Sequence, residues 1–148
     1  MAASIRKATA EDQEQIVALV RAERLNPNGL DWSNFIVATR QGTIIGAAQI
    51  RRHADGAREL GSLVVAPRFR GEGLAADLVS HLLTEERDTG ALCVVTGQQN
   101  ARHYTRWGFK PVPVRYAPKS VRRNFVLGQL IGGAHALVKR RPINHLVV

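Results

Sequence analysis

Cysteine is nearly absent from this chain: Cys93 is the single one in 148 residues. One thiol cannot build an internal disulfide framework, and with scattered histidines it offers no metal-ligand spacing, so no metal is expected. Cys93 lies inside Ala91-Leu92-Cys93-Val94-Val95, where it reads as a small buried hydrophobe and not a nucleophile. Long apolar runs are missing too; none approaches the roughly 18 to 20 residues that span a bilayer. The opening Met1-Ala2-Ala3-Ser4-Ile5-Arg6-Lys7 lacks the hydrophobic centre of a secretory signal. These absences predict a cytoplasmic protein without a membrane partner. No repeat, linker or low-complexity tract interrupts the sequence, and the length suits one domain over residues 1–148 with a substantial core.

The elements then follow in order. Ser4 to Ala8 reads as a first strand. Thr9 and Asp12 form a helix-start pattern, and Ile16, Leu19, Val20 and Ala22 supply an apolar stripe behind it. Pro27 and Gly29 break the helix, and Leu30 to Asn34 follows as a loop or a single turn. Phe35 to Arg40, Thr43 to Ile50 and Glu59 to Val65 read as three antiparallel strands, joined at Gln41-Gly42 and Asp55-Gly56. A helix after Gly73 carries Leu74, Leu78 and Leu82 with Ala75, Val79 and Leu83 on one side, and Thr89-Gly90 ends it. Leu92 to Val95 reads as a buried strand, parallel to its predecessor because a helix connects them. Asn100 to Trp107 reads as a short helix capped by Gly108, and the prolines of Phe109 to Val114 confine that segment to an edge. Ser120 to Lys139 is a basic amphipathic stretch, and Ile143 to Val148 a last strand.

The stretch Leu63-Val64-Val65-Ala66-Pro67-Arg68-Phe69-Arg70-Gly71-Glu72-Gly73-Leu74-Ala75 organises the rest. Strand, basic glycine turn and helix follow one another. A helix N-terminus leaves N–H groups unpaired and carries partial positive charge, so this order suits an anion. A P-loop is excluded, because no lysine or hydroxyl follows Gly73. Gly71-x-Gly73-x-x-Ala76 matches the dinucleotide fingerprint formally. Pro67 to Arg70 intervene between strand and glycine, however, and no acid follows about 20 residues on to hold a ribose. The remaining pattern is Arg-x-x-Gly-x-Gly, at Arg68, Gly71 and Gly73; an ordinary turn with surface arginines is the plain alternative.

A second pattern stands about 30 residues later. Asn100-Ala101-Arg102-His103-Tyr104-Thr105-Arg106-Trp107-Gly108-Phe109 has the form Asn-x-x-x-Tyr-x-x-x-Gly-Phe. Together the two patterns, and the order of elements from Ile5 to Val114, resemble the GNAT superfamily of N-acyltransferases. Leu25 to Trp32 adds a distant similarity to the acetyltransferase part of N-acetylglutamate synthases. The resemblance implies an α/β fold of the α+β type. It would be a single domain with a mostly antiparallel mixed sheet, parallel strands splayed at the cofactor site, and helices on both faces.

The resemblance also implies an acetyl-CoA-dependent N-acetyltransferase acting on a primary amine by direct attack in a ternary complex. Leu63, Val64 and Val65 would line the pantetheine arm at a bulge, with a backbone N–H near Val65 polarising the thioester. Backbone groups of Arg70, Gly71, Glu72, Gly73, Leu74 and Ala75, with Arg68, would hold the pyrophosphate. Asn100 would contact the arm. Tyr104 matches the family's general acid, or else packs its ring with its hydroxyl toward the cofactor or water.

An amine near pKa 10 must lose a proton before attack, so an acceptor is needed. Glu59, on the strand before the turn, is the candidate; alternation puts it on the face of Gly61, Leu63 and Val65. An ordinary strand-end carboxylate paired with Arg51 or Arg58 is the alternative, and it stands slightly ahead of the base role. Asp31 is a second candidate, and Asp31 with Trp32 could line a substrate pocket, unless Trp32 only plugs the core edge. His53, His81 and His103 show no orienting acid at a readable spacing.

The net charge of +9 fits attraction of a polyanionic cofactor plus solubility, ahead of a nucleic-acid partner. The acceptor reads as a small amine or amino acid, and the chain as monomer or homodimer. The rival functions are acetylation of protein lysine or aminoacyl-RNA, and a non-catalytic acyl-CoA- or nucleic-acid-binding module.

Overall fold

The structure is a computed structural model describing residues 2–86, 92–111, 113–123 and 134–139; the side chains of 97–101, 114 and 134–139 lie outside the description. These residues gather into two compact units, one of residues 1–50 with 62–85 and one of 51–61 with 86–148. The division falls inside two strands, so each unit holds part of both.

The first unit holds β1 (Ser4–Lys7), α1 (Gln13–Ala22), β2 (Phe35–Arg40), α2 (Leu74–Glu85), most of β3 (Thr43–Arg52) and the end of β4 (Arg58–Val65). The β1 and β2 strands pair antiparallel with Ile5 opposite Ala38, and β2 and β3 with Phe35 opposite Gln49. Gln41 and Gly42 both adopt positive φ, 50° and 76°, which matches the right-handed twist of a tight hairpin. Ahead of α1, the Asp12 carboxylate accepts from the Thr9 backbone N–H at 2.8 Å and closes a capping box. Ile16 and Val20 of α1 then bury completely against Ala8, Phe35, Val37, Ile44, Ala47 and Val64. Burying each such side chain contributes about 1.5–3 kcal/mol.

Along α2, Leu74, Leu78, Val79, Leu82 and Leu83 are buried as the stripe predicts, whereas Ala75 is exposed. Gly46 shows how closely this helix sits on the sheet. A Cβ there would meet Leu78 Cδ1 and the Val64 carbonyl oxygen, both at 3.2 Å.

The second unit holds the rest of β3 and β4 with β5 (Leu92–Gly97), α3 (Gln98–Thr105), β6 (Lys110–Pro111) and β7 (Ala134–Lys139). The β4 and β5 strands are parallel, in register from Arg58 opposite Leu92 to Leu60 opposite Val94, as the intervening helix predicts. The order onward is β5-β7-β6, with both ladders antiparallel, and Pro111 stands on the outermost strand. The fold is therefore a mixed α/β one, with antiparallel ladders and, among the described residues, one parallel pair.

The α3 helix starts two residues earlier than its motif suggests. It closes with Gly108 at φ 81°, whose N–H reaches the Thr105 carbonyl at 2.8 Å while Phe109 N–H reaches that of Tyr104 at 3.3 Å. That is a Schellman closure, and its usual apolar contact is here the Phe109 ring edge-on to Tyr104 at 5.9 Å. The basic stretch from Ser120 to Lys139 is not one element: residues 119–123 are helical and Ala134–Lys139 is β7. The expected helix end at Thr89-Gly90 and strand from Ile143 to Val148 lie outside the described residues.

Candidate functional site

In the first unit, β4 leads into the glycine turn through an irregularity. Ser62 adopts φ 50°, a left-handed conformation that an L side chain enters at a cost of about 1–2 kcal/mol. Its hydroxyl accepts from Gln49 Nε2 at 2.9 Å, and Gln49 is fully buried, so the kink is held by a dry hydrogen bond. A left-handed residue inside a strand also breaks strict alternation, so parity does not carry a face from Glu59 through to Val65. Leu63 is half-buried, Val64 and Val65 buried.

After Val65, Pro67–Phe69 form one 3-10 turn, and Gly71 and Gly73 follow, both at φ 81°. A Cβ at either would meet no atom within 4 Å, so these glycines are required by backbone conformation and not by crowding from the fold. The first intrahelical bond of α2 runs from Asp77 N–H to the Gly73 carbonyl at 3.0 Å. The N–H groups of Leu74, Ala75 and Ala76 therefore precede the ladder and carry the positive end of the helix.

Charges around the turn are arranged in pairs. Arg68 is exposed. Arg70 folds back: its Nε donates to the Val65 carbonyl at 3.1 Å and its Nη2 to Glu23, the residue capping α1. Glu72, between the two glycines, accepts from Arg40 Nη2 at 2.9 Å. The Arg40 guanidinium also lies 5.2 Å over the Phe69 ring, and that of Arg68 at 6.0 Å.

Glu59 lies in the second unit, and it is 2% exposed. His53 Nε2 stands 2.8 Å from one carboxylate oxygen and Arg51 Nη1 3.7 Å from the other. Burial lowers the Arg51 pKa, and the Glu59 charge works against that. Gly61 makes room for this cluster, because a Cβ there would fall 2.7 Å from Arg51 Nη1. Arg58 and Arg52 instead share Glu86, each at 3.0 Å. Tyr104 is 7% exposed between Trp107 and Phe109, and burial pushes its hydroxyl up to about 12. It stays a neutral phenol across the physiological range, able to donate a proton or a hydrogen bond.

Residues 31–111 match the acetyltransferase (GNAT) domain family, which is more than half of the chain and includes the turn, Glu59 and Tyr104. The chain belongs to the GNAT family. Curated relatives include uncharacterized N-acetyltransferases of Mycobacterium tuberculosis and Mycobacterium bovis. Each is 36% identical over 81 residues, covering 51% of this chain and 52% of the relative. The match thus spans about half the length of those proteins. Among solved structures, N-acetylglutamate synthase from Neisseria gonorrhoeae, holding coenzyme A and N-acetylglutamate, superposes with a TM-score of 0.77 at 21% identity. That superposition covers 95% of this chain and 35% of the other. Diaminobutyrate acetyltransferase from Paenibacillus lautus, holding coenzyme A and L-2,4-diaminobutyric acid, gives 0.62 at 14% identity and 95% of both chains. These two likenesses establish the fold.

Within this GNAT chain the residues singled out from sequence fall into two groups. Leu63 to Ala75 belong to the first unit with Asp31 and Trp32, and Glu59, Asn100 and Tyr104 to the second. Asn100 stands on α3, and its side chain lies outside the described part. Asp31 is engaged locally, accepting from the backbone N–H and hydroxyl of Ser33 at 2.9 and 2.7 Å, bonds that lower its pKa. Trp32 is 36% exposed and its backbone N–H donates to Gln13 Oε1 at 2.8 Å.

His53 and His81 each meet a carboxylate after all, Glu59 and, at 3.3 Å, Glu85. The His81–Glu85 pair is four residues apart on a helix and was readable. The His53–Glu59 pair was not, since it depends on how the hairpin folds back. Arg40 and Glu23 were missed because each meets the turn only through tertiary structure, and the role of Phe69, inside the turn, because it depends on Arg40 coming to lie over its ring. Among the described residues, no group of three His, Cys, Asp or Glu is placed to hold a metal. No helix among them is long and apolar enough to cross a membrane.

Proposed function

We propose that this GNAT protein is an acetyl-CoA-dependent N-acetyltransferase acting on a primary amine, in one catalytic domain over residues 1–148. The observation that carries the reading is the turn itself. Two glycines at φ 81° lead into α2, whose first N–H groups stand ahead of the helical ladder. Backbone groups from Arg70 to Ala75 bind the cofactor pyrophosphate, with Arg68 as the exposed charge, and Leu63 to Val65 and Asn100 take the pantetheine arm. Family membership supports this, as do relatives named N-acetyltransferases and structural neighbours holding coenzyme A.

In the reaction the amine nitrogen forms a bond to the thioester carbonyl carbon, the C–S bond breaks, and the thiolate and the amine exchange a proton through protein groups or water. Tyr104 supplies a proton toward the sulfur. Its phenol lies well above a thiol near 8.5, so full transfer is uphill. The phenol donates a hydrogen bond to the sulfur as the C–S bond breaks, and any proton it passes on is replaced by the one the amine releases, through Glu59 or water. Glu59, with His53 at 2.8 Å, receives the proton of the amine directly or through water. An amino-acid acceptor is favoured, because two proteins of this fold hold an acetylated amino acid and a diamino acid.

The test is an amine and amino-acid panel with acetyl-CoA, read by thiol release, alongside calorimetric CoA binding. Transfer to at least one primary amine is expected, together with loss of CoA binding in Gly71→Val/Gly73→Val. CoA binding without transfer to any amine would make the protein a non-catalytic acyl-CoA module. Unchanged CoA affinity in the folded double variant would remove the turn from the site.

A further inference from the structure

The excess positive charge is unevenly distributed along the chain. All 12 Asp and Glu residues lie within residues 1–88, against 11 Lys and Arg, and residues 89–148 hold ten Lys and Arg with no acid. The entire net charge of +9 therefore comes from the last 60 residues, which begin after the glycine turn and α2 have ended. Solubility alone places no premium on excluding acids from so long a stretch.

Within the second unit the described part of this stretch presents its charges outward. Arg102 and Arg106, four residues apart across the end of α3, are exposed, as are Lys110, Arg115, Lys119, Arg122 and Arg123. Val121 is completely buried and Ala117 nearly so, which turns Lys119, Arg122 and Arg123 away from the core. Arginine outnumbers lysine, and two of the arginines stack on aromatic rings. The Arg115 guanidinium lies 4.8 Å from the ring centroid of Tyr116, which is 56% exposed, and that of Arg106 lies 4.7 Å from the Trp107 ring. Arginine forks suit phosphate oxygens, and planar Arg–aromatic platforms accept a nucleobase by stacking. An anionic membrane would need an exposed apolar face beside the basic side chains, and on this surface Tyr116 is the only large apolar side chain exposed among the described residues.

We propose that the exposed basic surface of residues 102–123 binds a single-stranded nucleic acid, with the arginines and lysines on phosphates and Tyr116 under a base. This goes beyond the acetyl-transfer reading and stands without it. The test is fluorescence anisotropy of the full chain with a labelled 15-nucleotide RNA of mixed sequence. A DNA strand of equal length and vesicles containing phosphatidylserine serve as separate arms. Binding should weaken with salt along a linear log–log plot, at about −0.7 per phosphate contact.

The variant Arg115→Gln/Lys119→Gln/Arg122→Gln/Arg123→Gln should bind at least tenfold more weakly and with a slope shallower by about 2–3, at unchanged circular dichroism. Tyr116→Ala should lose severalfold in affinity at an unchanged slope. If the quadruple variant misfolds, Lys119→Gln and Arg123→Gln singly should each reduce the slope. Preference for RNA over DNA, or equal binding of both, supports the surface. No binding of either strand at 50 mM salt overturns the proposal. So does full binding by the folded quadruple variant, or capture of vesicles in place of the strands.

Discussion

Among single residues, the chemistry turns on what each charged group is already committed to. Tyr104 has its ring between Trp107 and Phe109 and its phenol at about 12. Tyr104→Phe should therefore keep CoA affinity within about twofold and lower turnover roughly a hundredfold or more. Equal turnover in both proteins, with chemistry rate-limiting, would move the proton to water. Glu59 is more constrained, since His53 and Arg51 occupy both of its oxygens. If the Glu59–His53 pair takes the amine proton, Glu59→Gln should lose most rate near neutral pH. It should recover toward wild type where the amine is itself neutral, near and above pH 10. A pH–rate profile parallel to wild type would make Glu59 a structural carboxylate.

Glu72 presents the reverse problem, a negative charge between the two glycines of the proposed pyrophosphate site. Arg40 cancels it at 2.9 Å. Arg40→Gln should weaken CoA binding about fivefold, which corresponds to about 1 kcal/mol of uncompensated repulsion in a solvated turn. Glu72→Gln in that background should restore most of it. Additive losses in the double-mutant cycle would mean that Arg40 acts by contact and not through Glu72.

At the level of elements, what the sequence revealed was whatever depends on local repeats. The β2–β3 hairpin, the α2 stripe and the glycine closing α3 follow from alternation, helical spacing and positive-φ turns. What stayed hidden depends on distant chain. In β7, Ala134 and His135 are weak strand formers; only pairing with β5 and β6 makes the segment extended. The kink at Ser62 likewise needs Gln49, 13 residues away.

The start of α1 is the opposite case, since Thr9 and Asp12 define it locally and Arg6 adds a bidentate pair at 2.7 and 3.0 Å. The Arg6 bond, then the Thr9 N–H, hold Asp12 at about 2, below its usual 3.8, while burial opposes them. A depressed folded-state pKa stabilises the fold above the unfolded value. That contribution is lost as pH falls from about 4 to about 2. Arg6 is 43% exposed, so solvent screening reduces the contribution to about 1 kcal/mol. Asp12→Asn should lower Tm by about 2–4 °C at pH 7, and the difference should close by pH 2. A constant difference across that range would assign the loss to the cap geometry and not to the charge.

Over the whole molecule, the question is how far each charge reaches. The glycine turn is nearly balanced: Arg40 faces Glu72, Arg70 faces Glu23, and Arg68 remains exposed. At a distance a polyanionic cofactor meets the net +9, which the acid-free stretch supplies. The screening length shrinks from about 30 Å at 0.01 M salt to about 8 Å at 0.15 M. Long-range attraction therefore acts only at low salt, and local charge decides binding at physiological salt. Accordingly kcat/KM for acetyl-CoA should fall severalfold over this range, with most of the fall below 0.1 M, while kcat stays constant. Replacing Arg115, Lys119, Arg122 and Arg123 by Gln leaves a net charge of +5. That variant should flatten the low-salt part of the curve and meet wild type at 0.15 M. A variant that is also slower at 0.15 M would place those side chains in contact with the cofactor.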